Sequence, residues 1–531
     1  MASLDPSMSL ANPVAHASLN TPQKLGLAIV GVGLLILFIA IFGVTLPHPT
    51  LWLTVALLAL TAGTVLYARG AYLHLPEGIK NNRVWFDSLA SRGVLGWLSA
   101  VILTGFYVLL YWFPAYLGLG AKGEANTGIV ALFDPLSLFF KGQPASQWFV
   151  YGALYTVAIL AMGYKFILKY RHNRYQIIRT ISVMFFQLAF AFLLPEFLLR
   201  MNLPYNDFKN MWPLNYYFFE SWNIQNMTTN GFIGLFMLAF GVGMIFIGSP
   251  ILTYFYGKRW YCSWVCGCGG LAETAGDPFR HLSDKSLKAW QIERWLIHSV
   301  LVFIIIVTIA TLYSFFVKNP DKYAITKEMF VGLTVILFIG LAILLYIRPK
   351  YVHDLHRNVK IGAAVMMLAL VAFTIQAYMS NAKEVFFVDG AQLRKWYAFA
   401  IGAAFSGVIG VGFYPLMGSR VWCRFGCPMA AILGIQQRFF SRFRITTNGG
   451  QCISCGNCST YCEMGIDVRA YAQRGQNVVR ASCVGCGICA AVCPRGVLRL
   501  ENSAMDISER TDAVRTIHIA ADQVRILDRC V

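Results

Sequence analysis

The chain reads Cys452-Ile-Ser-Cys455-Gly456-Asn-Cys458-Ser-Thr-Tyr-Cys462 and, after a spacer of twenty residues, Cys483-Val-Gly485-Cys486-Gly487-Ile-Cys489-Ala-Ala-Val-Cys493-Pro494. Both runs have the form C-x2-C-x2-C-x3-C. Two residues between thiols let a tight loop wrap one inorganic cube with three sulfurs facing inward. The fourth sulfur must come from another segment, so such runs work in pairs. Gly456, Gly485 and Gly487 suit a backbone that passes close to sulfur or turns through positive φ. A zinc site would take four cysteines in a C-x2-C … C-x2-C pattern and leave the other four idle.

The spacing is that of a bacterial-type two-cluster ferredoxin, where the fourth cysteine of each run ligates the other [4Fe–4S] cluster. This crossed pairing assigns Cys452, Cys455, Cys458 and Cys493 to cluster 1, and Cys483, Cys486, Cys489 and Cys462 to cluster 2. Glu463 stands where such a run often carries proline, which alters polarity beside a cluster and removes no ligand.

Outward from this domain the composition changes character. Of 531 residues, 57% are hydrophobic and only 13% charged, against about 25% charged in soluble domains. Apolar runs at 25–46, 50–68, 94–116, 148–168, 181–199, 232–255, 295–317, 329–347, 361–380 and 396–416 are long enough to cross a bilayer. The predicted fold is thus an α-helical polytopic membrane protein of about ten transmembrane helices with a small α+β double-cluster domain. Every even-numbered span exits into a basic segment: Arg69, Lys80, Arg83 and Arg92; Lys169, Arg171, Arg174 and Arg179; Lys258 and Arg259; Arg348, Lys350, Arg357 and Lys360; Arg420 and Arg424. The positive-inside rule then places both termini and the cluster domain in the cytoplasm of a bacterial inner membrane. The same topology accounts for the net charge of +19 without nucleic acid. Thiols in metal-type spacings on the cytoplasmic side do not form a disulfide framework.

Five regions are expected: a disordered N-terminus (1–23), an additional four-helix membrane region (24–180), a six-helix membrane core (181–440), the cluster domain (441–500) and a C-terminal tail (501–531). The N-terminus lacks the compact pattern of a cleaved signal peptide.

Two further cysteine pairs repeat one sentence. After span six comes Gly257-Lys-Arg259-Trp-Tyr-Cys262-Ser-Trp-Val-Cys266-Gly267, and after span ten Gly418-Ser-Arg420-Val-Trp-Cys423-Arg-Phe-Gly-Cys427-Pro428. An even number of spans separates them, so both lie on one side. Pro428 suits the first position of a helix, and a thiol at a helix N-terminus has a lowered pKa. Cys262, Cys266, Cys423 and Cys427 are therefore candidates for a third cluster, another metal, or a redox dithiol site. Reduced structural cysteines at a helix–membrane junction are the plain alternative. Cys268 has no counterpart in the second copy, Cys530 stands alone, and neither is expected to be a ligand.

Within the spans, Glu196 beside Pro195 is a candidate proton acceptor for a quinol, with an interfacial residue near a helix end as the rival reading. His298 lacks a second intramembrane histidine, so no haem is expected, and no flavin. The aromatic segment 204–222 is expected along the membrane interface, with partner docking as its alternative.

The paired Arg-x-aromatic-Cys-x3-Cys loops, followed by a double-cluster module, resemble the membrane-bound polyferredoxin family. That family includes the quinol-oxidising subunit of periplasmic nitrate reductase, the nitrous oxide reductase regulator and the cytochrome cbb3 oxidase assembly factor. The resemblance covers about 180–500; Cys427-Pro428 keeps the family's Cys-Pro, whereas Gly267 follows Cys266. The four additional N-terminal spans are atypical. The resemblance implies electron transfer between quinone or quinol and another redox protein. Two alternatives remain at this point: a reductase assisting assembly of a metal-containing enzyme, and a non-redox scaffold or sensor.

Overall fold

The computed structural model describes residues 19–73, 92–121, 123–320, 323, 325–347, 357–448, 451–502, 516–520 and 523–527. Residues 1–18, the loop positions Lys80, Arg83, Arg348 and Lys350, and Cys530 lie outside the described residues. The described residues are mostly helical. The first helix begins at Thr21, inside the stretch expected to be disordered, because Asn20 and Gln23 form a reciprocal cap.

Among the described residues nine helices are long and apolar enough to cross a membrane: Thr21–Ile41, Pro49–Tyr72, Val94–Trp112, Gln147–Lys169, Arg174–Arg200, Gly231–Tyr256, Leu287–Lys318, Lys327–Leu345 and Val359–Met379. The run expected as a tenth is irregular. It starts as helix Gly390–Tyr397, widens to a π-helix over Ala398–Ile409, turns, and ends in the short helix Tyr414–Met417. Its glycines allow close packing. A Cβ on Gly407 would meet the rings of Tyr107 and Tyr111, and one on Gly412 would meet Thr104, so this segment follows the Val94–Trp112 helix closely. Irregular backbone at membrane depth is tolerated where protein covers it.

The first two helices form a tight hairpin. A Cβ on Gly26 would lie 2.7 Å from the Gly63 carbonyl oxygen, and one on Gly63 equally close to that of Gly26. Small residues here let two backbones touch and gain dispersion contact without side-chain entropy cost.

At one end of the bundle sits the paired-run domain. Strand β1 (Phe443–Thr447) pairs antiparallel with β2 (Leu498–Asn502), closing the domain at its base. One-turn helices follow Gly456 and Gly487, each glycine at positive φ (81° and 74°) between the second and third cysteine of its run. The two halves therefore repeat one local fold. A further hairpin joins Thr516–Ala520 to Gln523–Leu527.

The largest core does not stop at the domain boundary. It runs from Ile297, Ile304 and Val307 of the long central helix, through Cys262, Cys266, Cys423 and Cys427, to Val478, Val484 and Leu498. Membrane bundle and cluster domain are packed as one body. Hydrogen bonds fasten the joint: Ser263 Oγ donates to the Val484 carbonyl (2.9 Å), Tyr175 Oη to that of Gly485 (2.9 Å), and Gln176 Nε2 to that of Cys486 (2.8 Å).

The aromatic segment 204–222 packs in part into the bundle. Met211 is buried in the core that holds the short-motif cysteines. The Lys209 carbonyl accepts a hydrogen bond from Tyr261 Oη (2.7 Å), and Trp212 Nε1 donates to Thr308 Oγ1 (2.9 Å). The segment enters the bundle from the end opposite the cluster domain. Phe218 is buried, while Tyr205, Tyr217 and Trp222 remain exposed.

Candidate metal centres

Cys452, Cys455 and Cys458 of the first run and Cys493 of the second line one cavity, together with Gly456, Arg469, Pro494 and Val497. These are the four cysteines that crossed pairing brings together. The cavity has an inorganic cluster's donor set: four thiols from two segments, around a positive-φ glycine that lets backbone pass close. Cys462, Cys483 and Cys489 act electrostatically on one another, with Cys486 beside them. Burial pushes the Cys483 thiol up to about 11 and the Cys486 thiol up to about 12.

The short motifs also converge. Cys266 and Cys427 occupy matching places, each the residue that caps a helix, Gly267–Thr274 and Pro428–Phe440. Cys427 Sγ accepts from the Ala430 N–H at 3.4 Å. Cys427 lies within electrostatic reach of Cys423, Cys262 and Cys266, and all four are buried. The expectation of lowered thiol pKa values holds only at Cys266, where a hydrogen bond with Cys268 outweighs burial. Burial raises Cys262 to about 12 and raises Cys423 and Cys427 too. Desolvation here exceeds the benefit of a helix end. Cys268, set aside for want of a counterpart, hydrogen-bonds Cys266 and acts on Cys423 and Cys427 as well. Its spacing gave no signal, because a repeat comparison discards unmatched residues.

The short-motif segment reaches deep. A Cβ on Gly267 would touch Gln187 Oε1, Lys209 Nζ and Tyr155 Cε1. Gln187 is midway along the Arg174–Arg200 helix. Cys266, next in sequence, therefore stands near mid-bundle, at the meeting of a segment from each end.

Between this site and the second run lies a buried ionic network that sequence reading missed. Glu463 is 1% exposed. Its carboxylate meets Arg280 Nη1 (2.9 Å) and Arg420 Nε (3.0 Å). Glu273 pairs with Arg179 and Arg420. Asp277 pairs with Arg280 (2.9 Å) and Lys169 (2.7 Å). Arg420 continues to the Cys262 carbonyl (3.2 Å) and Cys423 Sγ (3.6 Å). Glu273, Glu463 and Cys486 could be mistaken for a cation site, since their ligand atoms lie within 4.8 Å of one another. Three arginines already neutralise the carboxylates. Burial would raise Asp277, but Lys169, Arg280 and Lys165 together hold it below the carboxylate range. The available signal was Glu463 itself, a charge in place of a customary proline.

Glu196 is buried near the far end of its helix, and its Oε2 has no hydrogen-bond partner. Gln176, which touches the Cys486 carbonyl, lies twenty residues earlier on the same helix, or about 30 Å at 1.5 Å per residue. The structure does not bring Glu196 to the cysteine clusters.

A family model described as a 4Fe-4S dicluster domain matches residues 451–498. A second, described as a 4Fe-4S binding domain, matches twice, at 238–286 and 399–446. Each of these two matches contains one short motif. No curated protein and no solved structure matches the chain. Sequence, geometry and family models agree that this is an iron–sulfur protein with membrane-length helices.

Proposed function

We propose that the chain is a membrane-bound electron-transfer protein that passes electrons between the quinone pool and a redox partner through two [4Fe–4S] clusters. The observation that carries this reading is the cavity lined by Cys452, Cys455, Cys458 and Cys493, in which two sequence runs supply one donor set. Cys462, Cys483, Cys486 and Cys489 hold the second cluster. Each cluster supplies one reversible electron when bound, so two in one domain take the two electrons of a quinol in turn. The chain's own task is to hold the clusters near each other, exclude water from the inner one, and fix them to the membrane bundle. The basic exits of the spans orient the domain toward the cytoplasm of a bacterial inner membrane.

Cys262, Cys266, Cys423 and Cys427, with Cys268 beside them, form a third metal or cluster site. Support comes from their convergence and from the doubled match at 238–286 and 399–446. Their burial speaks against the rival in which these thiols touch a cargo protein during enzyme assembly.

The test is anaerobic. The protein is purified in lipid, its clusters are reduced, and it is mixed rapidly with a short-chain quinone while absorbance and electron paramagnetic resonance are followed. The expected result is reoxidation whose rate rises with quinone, two electrons per molecule. Clusters that stay reduced would remove quinone from the account.

A further inference from the structure

Close to the cluster domain the bundle carries a groove of about 300 Å³, lined by Pro250, Ile251, Tyr254, Phe255, Gln436 and Phe440. The first four belong to the last turns of the Gly231–Tyr256 helix, where Ile251 and Phe255 are exposed. On a membrane-length helix that exposed apolar face looks onto lipid. Gln436 and Phe440 come from the Pro428–Phe440 helix, the one capped by Cys427.

The walls are apolar, with polar groups at defined points. Gln436 Oε1 is buried and has no hydrogen-bond partner. Tyr254 Oη accepts from Arg442 Nε at 3.2 Å, which leaves the tyrosine proton free to donate. The Arg442 guanidinium lies over the Tyr254 and Phe255 rings, 5.1 and 5.7 Å from their centroids. A lipid tail would cover the walls and leave Gln436 unanswered. A quinol ring answers both groups: one hydroxyl donates to Gln436 Oε1, and the oxygen of the other accepts from Tyr254. The volume is at the small end of ligand pockets, enough for a single ring whose tail lies in lipid.

The groove also has a route to sulfur. Gln437, the next residue, donates from Nε2 to the carbonyls of Cys483 (2.8 Å) and Arg480 (3.0 Å), and its Oε1 accepts from the Lys258 N–H (2.8 Å). Adjacent residues of one helix thus line the groove and grip a cysteine of the second run.

We propose that this groove is the quinone site, binding the ring of a membrane quinol or quinone beside the cluster of Cys462, Cys483, Cys486 and Cys489. The inference rests on the quinone reading above. In the oxidative direction both O–H bonds of the quinol break. Two electrons leave one at a time, ending one on each cluster, and two protons pass to water at the membrane surface. The reverse direction consumes the same two electrons and two protons.

The experiment compares wild type with Gln436→Leu, Ile251→Trp (which fills the groove) and Glu196→Gln in lipid. Quinone reoxidation is measured at sub-saturating concentration, and a photoactivatable azidoquinone is located by peptide mass spectrometry. The inference expects Ile251→Trp and Gln436→Leu to react at least tenfold more slowly with unchanged iron content and cluster resonance. It also expects label in 249–256 or 428–440, displaced by excess quinone. Wild-type rates in both groove variants, with slowing in Glu196→Gln and label elsewhere, would overturn this site and leave the quinone reading standing. Label that excess quinone does not displace would mark a lipid-tail groove and overturn the site. A wild type that ignores quinone would end both.

Discussion

Glu463 is the residue where a sequence oddity becomes a structural part. Its carboxylate sits between Arg280 and Arg420 with almost no solvent contact. Removing one partner of a buried ion pair strands the other charges, typically at about 3–5 kcal/mol. Glu463→Gln should therefore lower unfolding stability by about that amount, read by denaturant titration. It also removes a negative charge beside Cys486, so the cluster of the second run should become easier to reduce while the cluster of Cys493 keeps its potential. Equal shifts in both clusters would contradict this placement. The crossed pairing has its own test at this scale. Cys493→Ser should abolish the cluster of the first run, and Cys462→Ser that of the second, in resonance spectra of the reduced protein. Loss in the uncrossed order would refute the pairing. The eight cysteines were legible because cluster ligation is local in sequence. Glu463's partners were not, since Arg280 and Arg420 lie far away in the chain and meet it only after packing.

Among the elements, the long apolar spans were readable and their local irregularities were not. Hydropathy marks a run as apolar, and Thr21–Ile41 through Val359–Met379 met that expectation. It cannot tell an α-helix from the π-helical stretch Ala398–Ile409, because widening changes backbone hydrogen bonding and leaves composition alone. Nor could it tell that 204–222 enters the bundle, since aromatic residues suit both an interface and a core. The hairpin of the first two helices offers a clean prediction. Gly63→Val would push a side chain against the Gly26 carbonyl and Val30, costing about 1–3 kcal/mol by overpacking. Thermal melting should fall, while cluster resonance stays as in wild type, because neither glycine touches the cysteine domain. Disturbed clusters would mean that this hairpin is coupled to the domain more tightly than its contacts indicate.

The whole molecule is a membrane bundle and a cluster domain joined by one apolar core and one ionic network. This is the level at which sequence said least: it divided the chain into regions and gave no contacts between them, whereas packing makes a single body. Asp277 gives the joint its pH behaviour. Its folded-state pKa is depressed by Lys169, Arg280 and Lys165 against the cost of burial. The stabilisation is complete above the unfolded value of about 4 and is lost as pH falls through the folded one. Between pH 8 and 5 this contribution should therefore be flat. Asp277→Asn, which removes the carboxylate shared by Lys169 and Arg280, should lose about 3–5 kcal/mol across that window. A wild-type loss already between pH 7 and 5 that Asp277→Asn abolishes would contradict this assignment. The proposed third site is tested by counting: if it holds metal, serine at Cys262 and Cys423 should lower the metal content without touching the two cluster resonances.

The most direct test of the central claim is an anaerobic redox titration of the lipid-embedded protein, followed by electron paramagnetic resonance with iron and sulfide analysis. The account predicts two [4Fe–4S] signals per chain that reduce in separate one-electron steps and broaden each other when both are reduced. A single signal, two clusters with no magnetic interaction, or zinc in place of iron would contradict it.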